Sequence, residues 1–361
     1  MDNTHRTRSS AYRRMMRRRK RRRQIIINRI KFAIVSLVLL TAVMFLFVKG
    51  IGALISRIGN DSALDGGAVA YAAQTNAAVE NLTKELQTKP DITMPYPVKS
   101  PSYVEINSDK VRSEFVSLID IDTHQILAGK GCNNVIYPAS MTKVMTLIIA
   151  VENIKDMNGK FIMTAEIIDP LVQENASRAG FDPKEAVCAT DLIYGLILPS
   201  GADAAEALAI MISGSSEEFV KLMNEKCRDI GLKSTHFTNT SGLHDANQYT
   251  TPTEMAMIME YAMQNPTCAK VLSTYQYTTQ ATEQHPEGIE LTSTMFSRMY
   301  GDEAEGVQIT AGKTGYTDEA GNCLVSYAVK QNKRYICVTA GGTNKWHSIF
   351  DDIEIYGNYL P

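Results

Sequence analysis

Residues 137–153 read YPASMTKVMTLIIAVEN. Met145, Leu147, Ile148 and Val151 recur at helical spacing, so the stretch predicts a helix that starts near Ser140 and is apolar on one face. Ser140-Met141-Thr142-Lys143 is the only Ser-x-x-Lys in the chain. Residues three apart share a helix face, which brings the Lys143 amine within reach of the Ser140 hydroxyl. A serine needs a base to become a nucleophile. Lysine can be that base only when neutral, and burial, a nearby positive charge and the positive end of the helix all lower its pKa. The blander reading makes Ser140 an N-cap and Lys143 a solvated side chain.

Outward from this helix the texture alternates in blocks. Before it, 113–121 and 124–128 are β-rich runs separated by Asp122-Thr123, which predicts a hairpin. After it, helical patterns cover 190–198, 202–212, 216–230 and 252–264. Strands return at 307–313, 323–329 and 335–340, the last two joined across Gln331-Asn332-Lys333, and a final helical pattern runs over 345–359. Strands, then helices, then strands and a last helix predict one antiparallel sheet built from both ends of an α/β (α+β) domain, with a helical insertion between.

Two more segments carry chemistry-bearing residues. Ile309 to Thr317 reads ITAGKTGYT at the end of a predicted strand. Lys313 there offers a fixed cation to a carboxylate, Thr314 a hydroxyl, and Gly315 a place where a substrate backbone comes close. The blander reading is a strand end with an exposed lysine and a turn glycine. Leu198 to Ala205 reads LPSGADAA. By itself it looks like a helix start, with Ser200 as cap and Asp203 completing a capping-box-like pair.

Taken in order, the three segments follow the pattern Ser-x-x-Lys, Ser-x-Asn, Lys-Thr-Gly of β-lactamases and penicillin-binding proteins. From about Tyr103 to Tyr359 the chain resembles the low-molecular-mass penicillin-binding proteins that are D-alanyl-D-alanine carboxypeptidases. The likeness includes Tyr137 to Ser140, residues 191–209, Met223-Asn224, Gly231-Leu232, Thr240 to His244 and residues 313–324. It implies a β-lactamase/transpeptidase-like fold, a five-stranded antiparallel sheet between helices with a helical subdomain. It also implies roles. Ser140 attacks the carbonyl between two D-alanines, Lys143 takes its proton, and Ser200 relays a proton to the leaving D-alanine. Lys313 and Thr314 hold the terminal carboxylate, beside Gly315, and the N–H groups of Ser140 and Tyr316 form the oxyanion hole. The implied partners are peptidoglycan stem peptides ending in D-Ala-D-Ala and β-lactam antibiotics, with no cofactor.

Ala202 departs from the family, which usually has asparagine there, its amide touching the substrate and the first lysine. Two rival readings stay open: a β-lactamase-like hydrolase, and a binding module that has lost turnover. The class A β-lactamase segment Glu-x-x-Leu-Asn is absent between Asp203 and Lys313.

Charge divides the chain. The whole carries 37 basic and 39 acidic residues, net −2. Residues 1–31 hold thirteen Lys or Arg against Asp2, a balance of +12, which leaves −14 for the rest. Residues 32–48, FAIVSLVLLTAVMFLFV, have no charge, Pro or Gly and follow the basic run Arg17 to Arg23. The expectation is a cytoplasmic basic tail (1–31), a single transmembrane signal anchor (32–48) in contact with membrane lipid, a stalk or linker (49–100), and an extracellular domain (101–361). A nucleic-acid patch and a cleaved signal peptide are the alternatives for the N-terminal stretch. Six widely spaced cysteines without a CxxC suggest free thiols, and no histidine pair suggests a metal.

Overall fold

The computed structural model describes residues 93–299 and 304–361. The tail, the apolar stretch 32–48 and most of the linker lie outside the described residues. Among the described residues no helix is long and apolar enough to cross a membrane.

Ten strands occur among the described residues: β1 (Val98–Glu105), β2 (Phe115–Asp120), β3 (Gln125–Lys130), β4 (Lys160–Ile162), β5 (Ala186–Cys188), β6 (Gln276–Thr278), β7 (Glu290–Thr292), β8 (Gln308–Thr317), β9 (Gly321–Lys330) and β10 (Lys333–Gly342). The helices are α1 (Thr142–Asn153), α2 (Ala165–Gln173), α3 (Ala189–Ile197), α4 (Ala202–Ser213), α5 (Ser216–Ile230), α6 (Pro252–Gln264), α7 (Pro266–Leu272), α8 (Phe296–Met299) and α9 (His347–Tyr359).

The main sheet runs β1-β3-β2-β10-β9-β8. From β3 to β8 every neighbour is antiparallel, as expected. The sheet is nevertheless six-stranded and mixed, because β1 adds parallel to β3. That corrects the five-stranded expectation, and the cause is local. β1 is VKSPSYVE, mostly exposed, with Pro101 inside. A proline cannot donate to a ladder, so it is tolerated at a sheet edge; such a strand carries little of the apolar alternation by which strands are read. It begins three residues inside the stretch read as linker, and the chain is already docked at Met94, which is buried and donates its N–H to the Ile230 carbonyl.

Both faces of the sheet are covered. Val116 and Leu118 of β2 and Tyr335 and Cys337 of β10 face the core under α9, which supplies Ile349, Ile355 and Tyr356. Ile119, Ile336, Val338 and Val325 face the larger core shared with α1, α3, α4 and α6. This alternation is the period-two signal of strands. Each fully buried aliphatic side chain contributes about 1.5–3 kcal/mol, whereas an exposed ion pair contributes at most about 1 kcal/mol. The cores therefore hold the site in place.

One helix differs in kind from its prediction. All nine residues from Thr142 to Ala150 are buried, so α1 is enclosed on every side rather than apolar on one face. All six cysteines are buried free thiols, and burial pushes Cys227 and Cys323 up to about 12.

Candidate active site

Ser140 sits in a 3-10 turn, Ala139–Met141, that leads directly into α1. Its hydroxyl does no capping: the N-cap of α1 is Met141, without a side-chain capping bond. Ala139 just before it is held in the left-handed region, at φ 46°. Lys143, 2% exposed, brings Nζ to 3.0 Å from Ser140 Oγ and to 2.5 Å from the Ser241 carbonyl. Burial lowers its pKa to about 7, with the Asp203 and Glu206 carboxylates pulling the other way. A positive neighbour, Lys313, is present as well, since the Lys143 charge acts on it; desolvation outweighs the two carboxylates because the amine is fully enclosed.

Ser200 and Lys313 form a second hydroxyl–amine pair. Lys313 Nζ donates to Ser200 Oγ at 2.9 Å and to the Thr314 carbonyl at 2.7 Å. Burial, then the charges of Lys143 and Arg298, drive its pKa well down. Ser200 is not the cap of α4; Gly201 is. Instead Ser200 adopts φ 68°, a strained conformation for a residue with a side chain, just before the helix. Asp203 likewise closes no capping box with Ser200. Its carboxylate accepts from the N–H groups of Ala179 (2.8 Å), Gly180 (3.1 Å) and Ala204 (2.9 Å), pinning the loop beside the cleft. Ala202, 2% exposed, donates its N–H to the Ser177 carbonyl at 2.8 Å.

β8 carries the Lys-Thr-Gly segment, and it is the free edge of the sheet. An edge strand offers unpaired backbone groups to an extended peptide. Lys313 pairs with Val325 and Gly315 with Cys323 across β9. A Cβ on Gly315 would stand 3.0 Å from the Ser140 nitrogen and 3.1 Å from the Pro138 carbonyl oxygen, so a larger residue would have to push the Ser140 turn back by a few tenths of an ångström. Thr314 is buried and shares a 2.6 Å hydrogen bond with Thr294; Tyr316 is 58% exposed at the rim, its hydroxyl donating to Asp318.

Of the eight candidate residues, Ser140 thus pairs with Lys143 and Ser200 with Lys313, Gly315 presses on the Ser140 turn, Thr314 and Tyr316 flank it on β8, and Ala202 follows two residues after Ser200. Four contributors were missed. Ser241 acts through its carbonyl, which no side-chain pattern announces. Thr294 and Arg298 lie in an aperiodic stretch around the short α8. Glu206 reads in sequence as one more polar residue on a helix. A separate cavity of about 320 Å³ lies among Ile121, His124, Glu260, Tyr327 and Arg334, and none of the eight lines it.

The described geometry has counterparts. The D-alanyl-D-alanine carboxypeptidase family model matches residues 102–344. The chain is 34% identical over 232 residues to the D-alanyl-D-alanine carboxypeptidase DacF of Bacillus subtilis, covering 63% of this chain and 56% of that one. It is 30% identical over 242 residues to DacA of Haemophilus influenzae, covering 65% and 58%. The chain thus spans a little over half the length of these two curated relatives. Among solved structures, the Streptomyces K15 DD-transpeptidase superposes with a TM-score of 0.64 at 27% identity, over 71% of this chain and all of that one. Penicillin binding protein 5 of Haemophilus influenzae gives 0.62 at 27% identity, over 70% and 71%.

Proposed function

The chain belongs to the D-alanyl-D-alanine carboxypeptidase family, and on that premise we propose that it removes the terminal D-alanine of peptidoglycan stem peptides through an acyl-enzyme and is acylated by penicillins. The observation that carries this reading is the Ser140–Lys143 pair: 3.0 Å apart, with an amine whose pKa is lowered to about 7 by burial. A neutral amine can donate one N–H to the Ser241 carbonyl and keep its lone pair for the Ser140 proton.

In this reading Ser140 Oγ attacks the carbonyl between the two D-alanines while Lys143 takes its proton. The tetrahedral oxyanion lies on the N–H groups of Ser140 and Tyr316. As the C–N bond breaks, the Ser200 hydroxyl, backed by Lys313, passes a proton to the leaving amine, and water then releases the acyl group. The substrate's terminal carboxylate rests on Lys313 and Thr314, with the charge of Arg298 behind them. Burial and the charges of Lys143 and Arg298 disfavour the charged form of Lys313, and a bound carboxylate favours it. Binding and the requirement for a free carboxyl terminus thus arise from the same group. For cellular placement, we read residues 1–31 as a cytoplasmic tail and 32–48 as a membrane anchor that leaves the catalytic domain outside.

A fluorescent penicillin tests the reading. Stable labelling together with D-alanine release from a D-Ala-D-Ala peptide is expected, and Ser140→Ala should lose both. Rapid loss of label would mean a β-lactamase-like enzyme. No labelling of the parent would mean a non-catalytic module, which Ala202 keeps in view. Protease added to spheroplasts should remove the catalytic domain and spare an N-terminal tag.

A further inference from the structure

Glu206 lies one helical turn beyond Ala202 on α4, so the two positions share a face. Position 202 is where an asparagine amide would touch Lys143, and here a methyl replaces it. The lysine is held instead by the Ser241 carbonyl at 2.5 Å, and the segment bearing that carbonyl is tied down from several sides. Thr146 of α1 donates to the Thr240 carbonyl at 2.6 Å, and the Gly242 N–H donates to Asn239 Oδ1 at 2.7 Å. The Thr240 hydroxyl donates to Glu206 Oε1, and the Ser216 hydroxyl at the start of α5 donates to Glu206 Oε2. A single side chain thus joins α4, α5 and the strand of backbone that receives the lysine.

We propose that Glu206 is a positioning residue for Lys143, fixing the Thr240–Ser241 backbone and placing a negative charge beside the amine, and so does part of the work an amide at position 202 would do. This rests on the carboxypeptidase reading above. The groups acting on Lys143 are few. Asp203 and Glu206 of α4 oppose the effect of burial. Lys313 of β8 is near enough for the Lys143 charge to act on it, and the charge of Arg298 on α8 acts on Lys313 as well. At the far end of α1, Glu152 pairs with Lys226 of α5 and accepts from Tyr261 of α6. A mere bolt between helices would leave the protonation of Lys143 untouched, whereas a charged neighbour raises its pKa.

The test is the pH profile of acylation by a penicillin. Glu206→Gln keeps an acceptor for one hydroxyl and removes the charge. Its acid limb should move to lower pH than the parent's, with the plateau reduced by no more than about tenfold. Glu206→Asp keeps the charge and should leave the limb where the parent has it. Glu206→Ala should lose about ten- to hundredfold in rate, and Ala202→Asn should restore more activity in that background than it adds to the parent. An acid limb that stays with the parent's in Glu206→Gln overturns the proposal while the carboxypeptidase reading stands. A parent that is never acylated overturns both. If Glu206→Gln fails to fold, Thr240→Val carries the test: it cuts the tether and keeps the charge, so the plateau must fall while the limb stays, and a parent-like plateau overturns the proposal.

Discussion

At the scale of single residues, the distinction that matters is between a lysine that holds its proton and one that gives it up. Lys143 is fully enclosed, and its pKa is about 7 because burial outweighs two carboxylates. Acylation should therefore rise through pH 7 and fall about tenfold per unit below pH 6, as the amine becomes protonated. A rate that is flat from pH 5 to 8 would remove Lys143 as the base. Lys143→Arg should cost about a thousandfold, since arginine stays protonated at any usable pH; activity within tenfold of the parent would place the base elsewhere. The Ser-x-x-Lys spacing made this pair legible in sequence. The Ser241 carbonyl was not, because a backbone oxygen is present at every residue and only folding selects one.

Among the elements, the loop 239–243 packs directly against the turn that carries Ser140. Gly242 has φ 86°, and a Cβ there would stand 1.9 Å from the Ala139 carbonyl oxygen, a backbone atom that cannot swing aside. Gly242→Ala should destabilise the domain by about 2 kcal/mol and lower acylation at least tenfold. Gly214 provides the control. It is left-handed at φ 83° with nothing within 4 Å, so Gly214→Ala should cost about 1 kcal/mol of strain and leave acylation at the parental rate. Equal losses of activity in the two variants would mean that strain alone, not contact with the nucleophile's turn, is responsible. At this scale the long helices were predicted to within a few residues, since α5 and α6 carry real caps: Ser215 accepts from the Glu218 N–H, and Thr251 from the Glu254 N–H. The short α7 and α8 and the three-residue strands β4 to β7 were not, being too brief to establish a period, and neither was α2, whose nine residues are interrupted by Pro170.

For the molecule as a whole, the buried acids set the pH range of stability. Burial holds the Asp352 carboxyl up to about 8, against 3.8 for a free one. It projects from α9 into the core, where Ser326 of β9 donates to it. The folded chain therefore keeps a proton that the unfolded chain releases between those values. The stabilisation is complete below pH 4 and is lost as pH rises through 8. Glu260, raised to about 7 by burial, adds to the trend, and buried Lys143 opposes it above pH 7. The quantity to read is thus the difference between parent and Asp352→Asn. The variant's Tm relative to the parent should rise by roughly 10–20 °C between pH 4 and pH 8. A constant difference across that range would mean that Asp352 is ionised in the fold.

What the sequence determined by itself is whatever depends on spacing along one chain. Period two and period 3.6 located the five antiparallel strands and the long helices, and three short motifs in order marked the serines and lysines of the site. The tertiary structure decided what depends on how distant pieces enclose one another. It made α1 buried on all sides, which turns Lys143 from a solvated cation into a candidate base. It strained Ser200 so that its hydroxyl meets Lys313, where sequence alone offered a helix cap. It drew a proline-bearing segment onto the sheet as a sixth strand, since an edge needs only one partner and little apolar pattern. It brought Glu206 to the Thr240 hydroxyl, 34 residues further along the chain. Burial and electrostatic proximity are properties of the closed fold, and no local pattern of residue types specifies them.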